Sequence, residues 1–469
     1  MNESGLEAEL SRFASELRWE DLPPGVQARV LGIFTDTIAN ALVGRQAQGT
    51  PVVESLLTRL CGEGDTTVVG GGSLSPTGAV FLNGHQITAY TMCDVYRPAL
   101  CHITPEVLPV VLALAEELDA SGREVLAAFA VGLEVTARLG RAIDYPEFRR
   151  RGWHAPGVIG PFGAAAAAAS LLGLDAATVR TAFGLAGSQA SGTFAALGTS
   201  AVKFHQARGA VSGLWAARFA AEGRGGTDRA LTHPDGGLLT TYAGGGTPQR
   251  ALDGLGETWE LLQIALRAWP ASSSLQTTIE ASLALRDDHA LRLDRIAEVV
   301  VRLPDAAYEM CAHMGWGDEL EAMQSARYVP SVVLRDGYCW VDQYTDHCRK
   351  DATLTDFAAS RVRVERVGDL PNAAAEVAVT TSAGETHTVR REAALGGPAV
   401  PLGAADIRDK LDRALDGVAT RTGTWFAGWL QSMPFAPGVT TIIRGLRAAE
   451  GTAMVTGRVA VAPAAGDTP

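Results

Sequence analysis

Residues 153–192 read WHAPGVIGPFGAAAAAASLLGLDAATVRTAFGLAGSQASG. The stretch decides the fold class, because it is two helical segments built mainly from Gly and Ala. Small residues on facing sides let helix axes approach closely, so the expected surroundings are a compact all-α domain with a densely packed centre. The apolar run within it, 163–174, is too short and too weakly hydrophobic to span a bilayer, which makes a membrane helix the wrong reading.

The same character extends outward on both sides. Downstream, ARGAVSGLWAARFAAEG (207–223) is another small-residue helix. Upstream, PGVQARVLGIFTDTIANALV (24–43), VLPVVLALAEELD (107–119) and SGREVLAAFAVGLEVTARLGRAI (121–143) carry apolar residues at helical spacing. Ser121 and Glu124 have the spacing of a capping box. After about Pro270 the pattern changes. IAEVVVRL (296–303), SRVRVERV (360–367) and AAEVAVTTSAGETHTVRRE (374–392) read as strands, with SAGE (382–385) as a hairpin turn. Residues 276–291 and the region near 321–335 read as helix, and helical patterning returns from Pro401. The expected organisation is mainly α: residues 1–268 an all-α domain, 269–400 a smaller α+β lid, and 401–469 helices rejoining the first domain before a disordered tail.

Composition narrows the function. The chain has 469 residues, 47% hydrophobic and 20% charged, with a formal net charge of −12. That balance disfavours nucleic acid, whose phosphates demand clustered cations. It leaves room for a small anionic substrate, because a pocket's local field can oppose the global charge. Six cysteines with no CxxC pair fit a reducing cytoplasm, and the N-terminus has neither a basic nor an apolar leader segment. The nine histidines form no HExxH and no other metal-ligand spacing, so no metal is expected. The Gly-rich stretches at 68–73 and 244–247 make neither a GxGxxG motif nor a P-loop and read as turns. No GxSxG elbow marks a serine hydrolase.

What remains is acid–base chemistry at loop-to-helix junctions. His154 precedes a Gly-bounded Ala helix, and Lys203 and His205 open the next one. Helix N-termini offer free N–H groups and a positive dipole end, which suits a carboxylate ligand. TMCDVYRPALCHIT (91–104) is a third such loop, with Asp94, Arg97 and His102.

At these junctions the chain resembles the MmgE/PrpD family, which includes 2-methylcitrate dehydratase, cis-aconitate decarboxylase and iminodisuccinate epimerase. The resemblance runs from about residue 24 to 435. It is carried by LNGHQITAYTMCD (82–94), the His at 102, residues 107–142 and 153–192, KFHQARGAVSGLWAARFAAEG (203–223), AWPASSSLQTTIEASLAL (268–285) and ARYVPSVVLRDG (326–337). It implies a homodimer with no cofactor, in the cytoplasm, acting on a small carboxylate. It also implies catalytic roles for His102, His154, Lys203 and Tyr328. Asp94, Tyr96, Arg97, His205, Arg267 and Ser272 fall where substrate contacts are expected.

The acidic loop departs from the family's DFDDT-like pattern. The first family Asp is Thr91 or Met92 here, depending on register, and the family Thr is Val95 or Tyr96. In the lid, Ser272 replaces a family His and Arg267 a family Lys. These losses set the chain apart from ordinary 2-methylcitrate dehydratase and cis-aconitate decarboxylase. The family chemistry is proton movement beside a carboxylate, for which imidazoles suit either acid or base at neutral pH. The leading expectation is a cofactor-independent lyase of the dehydratase type on a di- or tricarboxylate. The alternatives are an epimerase, for which Tyr145 is a further base candidate, a decarboxylase, and last a non-catalytic binding relic. Asp94 is expected to orient His102 or to ion-pair with Arg97, with a supporting role preferred.

Overall fold

The computed structural model describes residues 5–416, 428 and 432–448. Its centre is the Gly/Ala stretch. The helices that build the site are α1 (Gly5–Glu16), α2 (Pro24–Gly44), α3 (Thr50–Cys61), α4 (Pro76–Ala89), α5 (Thr104–Leu118), α6 (Gly122–Ala142), α7 (Tyr145–Arg150), α8 (Ala155–Leu171), α9 (Ala176–Gly187) and α10 (Ala201–Ala221). Every residue of α8 from Ala155 to Ala169 is buried. A helix apolar all round has no polar face to turn to water, so it becomes the axis on which the others pack. By contrast, α9 buries Val179, Ala182, Phe183 and Ala186, one face at helical spacing.

Glycine sets how closely these axes approach. A Cβ on Gly163 of α8 would stand 1.7 Å from Thr136 Oγ1 of α6, and one on Gly213 of α10 would stand 2.3 Å from Ala164 Cβ. Neither contact leaves room for a side chain. Pro161 adds a second device. It has no N–H to give the Gly157 carbonyl one turn back, and that oxygen instead accepts from Ser191 N at 3.0 Å and from the Arg208 guanidinium at 3.1 Å. The proline thereby ties α8 to α10 and to the loop at 190–193.

The α+β part follows the sequence closely. Strands β1 (Ile296–Leu303), β2 (Val362–Arg366), β3 (Ala375–Thr381) and β4 (Thr386–Arg391) form one sheet in the order β2-β1-β3-β4. β1 and β2 are parallel, and the other pairs are antiparallel. Gly384, at φ 88°, makes the SAGE turn, and Thr381 N donates to Glu385 O at 2.8 Å. α11 (Gln276–His289) lies on β3 and β4, with α12 (Glu319–Gln324) and α13 (Tyr328–Asp336) beyond it. After the sheet, α14 (Ala404–Asp416) packs on α2. Most of the TWFAGWLQSM stretch (424–433) and all of the tail VAVAPAAGDTP (459–469) lie outside the described residues.

The fold is therefore mainly α with a smaller α+β part. Among the described residues no helix is long and apolar enough to cross a membrane.

Candidate active site

The N-termini of α5 and α8 and the first turns of α10 converge. His154 is the N-cap residue of α8 and is almost fully buried. Its backbone N–H donates to Gly192 O at 3.0 Å, which fixes the ring's direction. Its Nδ1 lies 3.1 Å from Nδ1 of His205, so one ring donates and the other accepts and the pair shares a single proton. Burial lowers the pKa of His154 to about 3, helped by His102 and His205 nearby. Burial also lowers His205, with Arg208 adding to the effect.

His102 sits just ahead of α5 with its Nδ1 2.5 Å from the Asp94 carbonyl oxygen. A carbonyl can only accept, so Nδ1 carries the proton, and among the described residues Nε2 is left free. Burial, then the Arg267 charge, brings its pKa to about 4. The Asp94 side chain does something the spacing did not reveal. Its carboxylate accepts from Ile103 N and Thr104 N, both at 2.9 Å, and from Thr104 Oγ1 at 2.7 Å. It caps α5 from ten residues upstream and makes no ion pair with Arg97. Asp94 thus orients His102 through its backbone oxygen and holds the helix with its side chain.

The loop carrying these groups is held at both ends. It enters through Thr91 at φ 54° and turns back through Leu100 at φ 41°, both unfavourable for residues with a branched or bulky side chain. Val95 and Tyr96 pair antiparallel with Ala265 and Ile264. That pairing carries Arg267 to Cys93, where its guanidinium donates to Cys93 O at 2.5 Å and approaches the thiol sulfur at 3.1 Å. Arg97 donates to Ser273 O at 3.1 Å and is close enough to Arg267 for the two charges to repel. Among the described residues neither arginine has a carboxylate partner.

Lys203 projects from the third position of α10. Its ammonium donates to the Ala89 carbonyl at the C-terminus of α4, where a helix favours a cation. Burial lowers its pKa, while Glu319 at the start of α12 pulls the other way. Burial raises the Glu319 carboxyl in turn. Lys203 is therefore the point where the helical part meets an acidic corner of the lid.

The remaining sequence candidates have other partners or contacts. The Tyr328 ring is fully buried in the lid, and its hydroxyl donates to Gln343 O at 2.6 Å. The Tyr96 hydroxyl donates to Glu260 at 2.6 Å, on the outer side of the loop. Ser272 accepts from the Cys311 thiol at 3.7 Å. Tyr145 starts α7 and stacks on Phe148, and burial moves its hydroxyl up to about 12.

Sequence reasoning passed over several groups. Lys410 of α14 is buried and pairs with Asp36 of α2 at 2.6 Å, and its ammonium also donates to Arg267 O at 2.8 Å. This staple underlies the arginine, yet its two ends lie 374 residues apart. His85 lies on α4 near Lys203, and burial followed by the lysine's charge brings its pKa to about 4. His85 stood in a quoted motif, and that was its signal. Lys410, in an ordinary charged helix, gave none. Among the described residues no group of three or more His, Cys, Asp or Glu is arranged to hold a metal ion.

Comparison with known proteins finds relatives of this chain. The MmgE/PrpD N-terminal domain matches residues 8–251 and the MmgE/PrpD C-terminal domain matches 269–424. The chain is 30% identical over 371 residues to a cis-aconitate decarboxylase-like protein of Aspergillus oryzae, covering 74% of this chain and 76% of that protein. It is 31% identical over 352 residues to a cis-aconitate decarboxylase of Homo sapiens, covering 72% of each. A cis-aconitate decarboxylase of Aspergillus terreus is 28% identical over 367 residues, covering 73% of this chain and 74% of that protein.

Proposed function

The chain belongs to the MmgE/PrpD family, and from that premise we propose that it is a lyase of the carboxy-lyase type acting on a small polycarboxylate. The observation that carries the reading is the meeting of cations without carboxylate partners, Arg97 and Arg267, with three neutral imidazoles at helix N-termini. Two guanidiniums side by side, Arg267 buried and Arg97 half-buried, are costly unless an anion joins them, and a substrate carboxylate supplies it by charge-assisted hydrogen bonds. The positive ends of α5 and α8 add to the same field.

Decarboxylation then needs little more. The C–CO₂⁻ bond breaks, its electron pair passes to carbon, CO₂ leaves, and the carbon takes up a proton. Arg97, Arg267 and Lys203 hold the carboxylates that remain and stabilise the developing negative charge. His102 or His154 delivers the proton. Tyr328 shapes the lid in this scheme. Proton transfer and charge stabilisation account for each step, so the reading extends to an enzyme without cofactor.

The relatives' names favour decarboxylation over the dehydration that the sequence put first, and dehydration of the same class of acid is the second reading. Incubation with cis-aconitate in heavy water, followed by proton NMR and CO₂ capture, tests the choice. Released CO₂ with deuterium on the product carbon is expected. Loss or addition of water alone would transfer the assignment to a dehydratase, and inversion without release to an epimerase. Full activity after EDTA is expected, and its loss would sink the cofactor-free reading.

We further propose that a second copy of the chain is its macromolecular partner. Val52 and Leu60 of α3 and Phe204, Trp215 and Phe219 of α10 are 69%, 71%, 52%, 46% and 55% exposed. They flank a groove of about 510 Å³ lined by Leu57, Phe81 and Val211. A patch of this kind on a chain of net charge −12 is costly in water. Light scattering should give a dimer mass, and W215E with F219E a monomer.

A further inference from the structure

We propose that Glu106 is the proton store behind the histidine pair: a carboxylic acid held between α5, α8 and α10 that supplies the proton His154 and His205 deliver. This deepens the lyase reading and rests on it.

Glu106 lies in the first turn of α5, fully buried. Among the described residues neither of its carboxyl oxygens has a hydrogen-bond partner on another residue. Such a group is expensive as an anion, and helix interiors rarely hold one without use. The fold makes room for it. A Cβ on Gly160 of α8 would stand 2.7 Å from Glu106 Cγ, and one on Gly209 of α10 would stand 3.1 Å from the same atom. Two helices therefore keep glycine where this side chain passes.

The direction of the side chain follows from helix geometry. Side chains lean toward the N-terminus of their own helix, and the N-terminus of α5 is where His102 sits. On α8, Gly157 and Gly160 are neighbours on one face. A Cβ on Gly157 would stand 3.3 Å from His205 Cβ, just as Gly160 faces Glu106. Gly157 and Gly160 thus set the His205 and Glu106 side chains about one helical turn apart along α8, and in the proposed relay one bridging water or a small rotation of the carboxyl links the two groups.

The surroundings keep the proton on Glu106. Burial raises its pKa well above the carboxylate range, and Asp94 and Cys93 in the loop add to the rise. The Cys101 thiol ahead of α5 is another neighbour held in its protonated form by burial. Arg208 of α10 is the opposing charge, and its N–H groups are spent on Gln189 O, Ser212 Oγ, Gly157 O and Ser191 O.

The need for such a store arises from the histidines themselves. All three are neutral at neutral pH, and a neutral imidazole is a poor acid. Decarboxylation consumes one proton for each CO₂ released. As the carbon gains its electron pair, Nε2–H of one ring gives it a proton and the shared Nδ1 proton crosses to that ring. Glu106–COOH gives its proton to Nε2 of the other ring, so no imidazolium accumulates, and the Glu106 carboxylate recovers a proton from solvent when product leaves. Glu106 acts through the histidines and is a positioning residue in that sense.

Glu106→Gln has the same shape and carries no acidic proton. It should lower kcat on cis-aconitate about 100-fold with KM unchanged. Infrared difference spectra at neutral pH should lose a protonated-carboxyl band present in the parent protein. In histidine-labelled protein the titration of His205 should also move. The last two readouts need no substrate, so they stand if cis-aconitate is not turned over. A purely packing role predicts full kcat and an unmoved His205. Either of those results, or the absence of the band in the parent, would overturn the proposal. Glu106→Asp, which keeps the acid, should retain more kcat than Glu106→Gln, and the reverse order would also overturn it.

Discussion

The helical side of the site and the lid treat polar groups in opposite ways. In the lid the polar side chains around Tyr328 and on the sheet are spoken for. Tyr328 gives its hydroxyl to Gln343, Arg302 lies between Glu365 at 2.8 Å and Glu376 at 2.5 Å, and Arg349 binds the carbonyls of Tyr344, Trp316 and Gly317. On the helical side, among the described residues, Nε2 of His102 is free, the His154–His205 pair shares one proton, and Arg97 and Arg267 hold only a carbonyl or a thiol beside a carbonyl. Saturated hydrogen bonding rigidifies, and spare capacity awaits a ligand. The lid brings its acidic Glu319 toward Lys203, while the helix termini hold the unspent groups.

The contrast can be broken by mutation, and the largest effects belong to the helical side. His154→Ala and Lys203→Ala should each lower kcat/KM on cis-aconitate by about 10²–10⁴, worth roughly 3–5.5 kcal/mol, with the melting temperature nearly unchanged. A folded variant with full activity would remove that residue from the site.

Next comes the staple beneath Arg267. Lys410→Met leaves Asp36 buried without its cation and should cost about 3–5 kcal/mol in urea unfolding. Most of that loss should return in the double variant Lys410→Met, Asp36→Leu. No recovery would mean that the pair serves the loop rather than the core.

The histidines predict an acid limb to stability. His102 and His154 titrate in the fold at about 4 and about 3, below the ordinary value of about 6.5. The unfolded chain therefore takes up protons first as pH falls. The histidines' contribution to stability is full above about pH 6.5 and declines toward about pH 4, by up to roughly 1.4 kcal/mol per pH unit for each histidine. Urea midpoints from pH 4 to 8 should show this slope, and His154→Gln should make it shallower. A flat profile would mean that these rings are not held neutral by the fold.

The smallest effect is expected in the lid. Tyr328→Phe loses one buried hydrogen bond, about 1 kcal/mol, and should change kcat less than tenfold. A larger kcat loss at constant stability would return Tyr328 to the catalytic group that the family resemblance assigned it.

Much of the architecture was legible beforehand because its signals are local. The IAEVVVRL strand matches β1 residue for residue. Ser121 and Glu124 form their capping box, with Ser121 N donating to Glu124 at 2.7 Å. The SAGE hairpin lies where its turn residues place it. Helix starts were less legible: α5 begins at Thr104 rather than 107 because its capping carboxylate, Asp94, stands outside any local spacing rule. For Asp94 the sequence offered two partners, the ring of His102 or Arg97, and the side chain chose neither. Tyr96 lies in the expected loop with its hydroxyl turned to the far side.

By itself the sequence determined the mainly helical class, the sheet, the family and the set of histidines and cations, because periodicity, caps and motif order are properties of neighbours along the chain. The tertiary structure alone decided which groups are charged, which hydrogen bonds are spent and which carboxyl is left over. Burial and long-range pairing, from Asp36 to Lys410 and from Gly160 to Glu106, set those states. They depend on how closely small residues let helices approach, and that distance is written only where the helices meet.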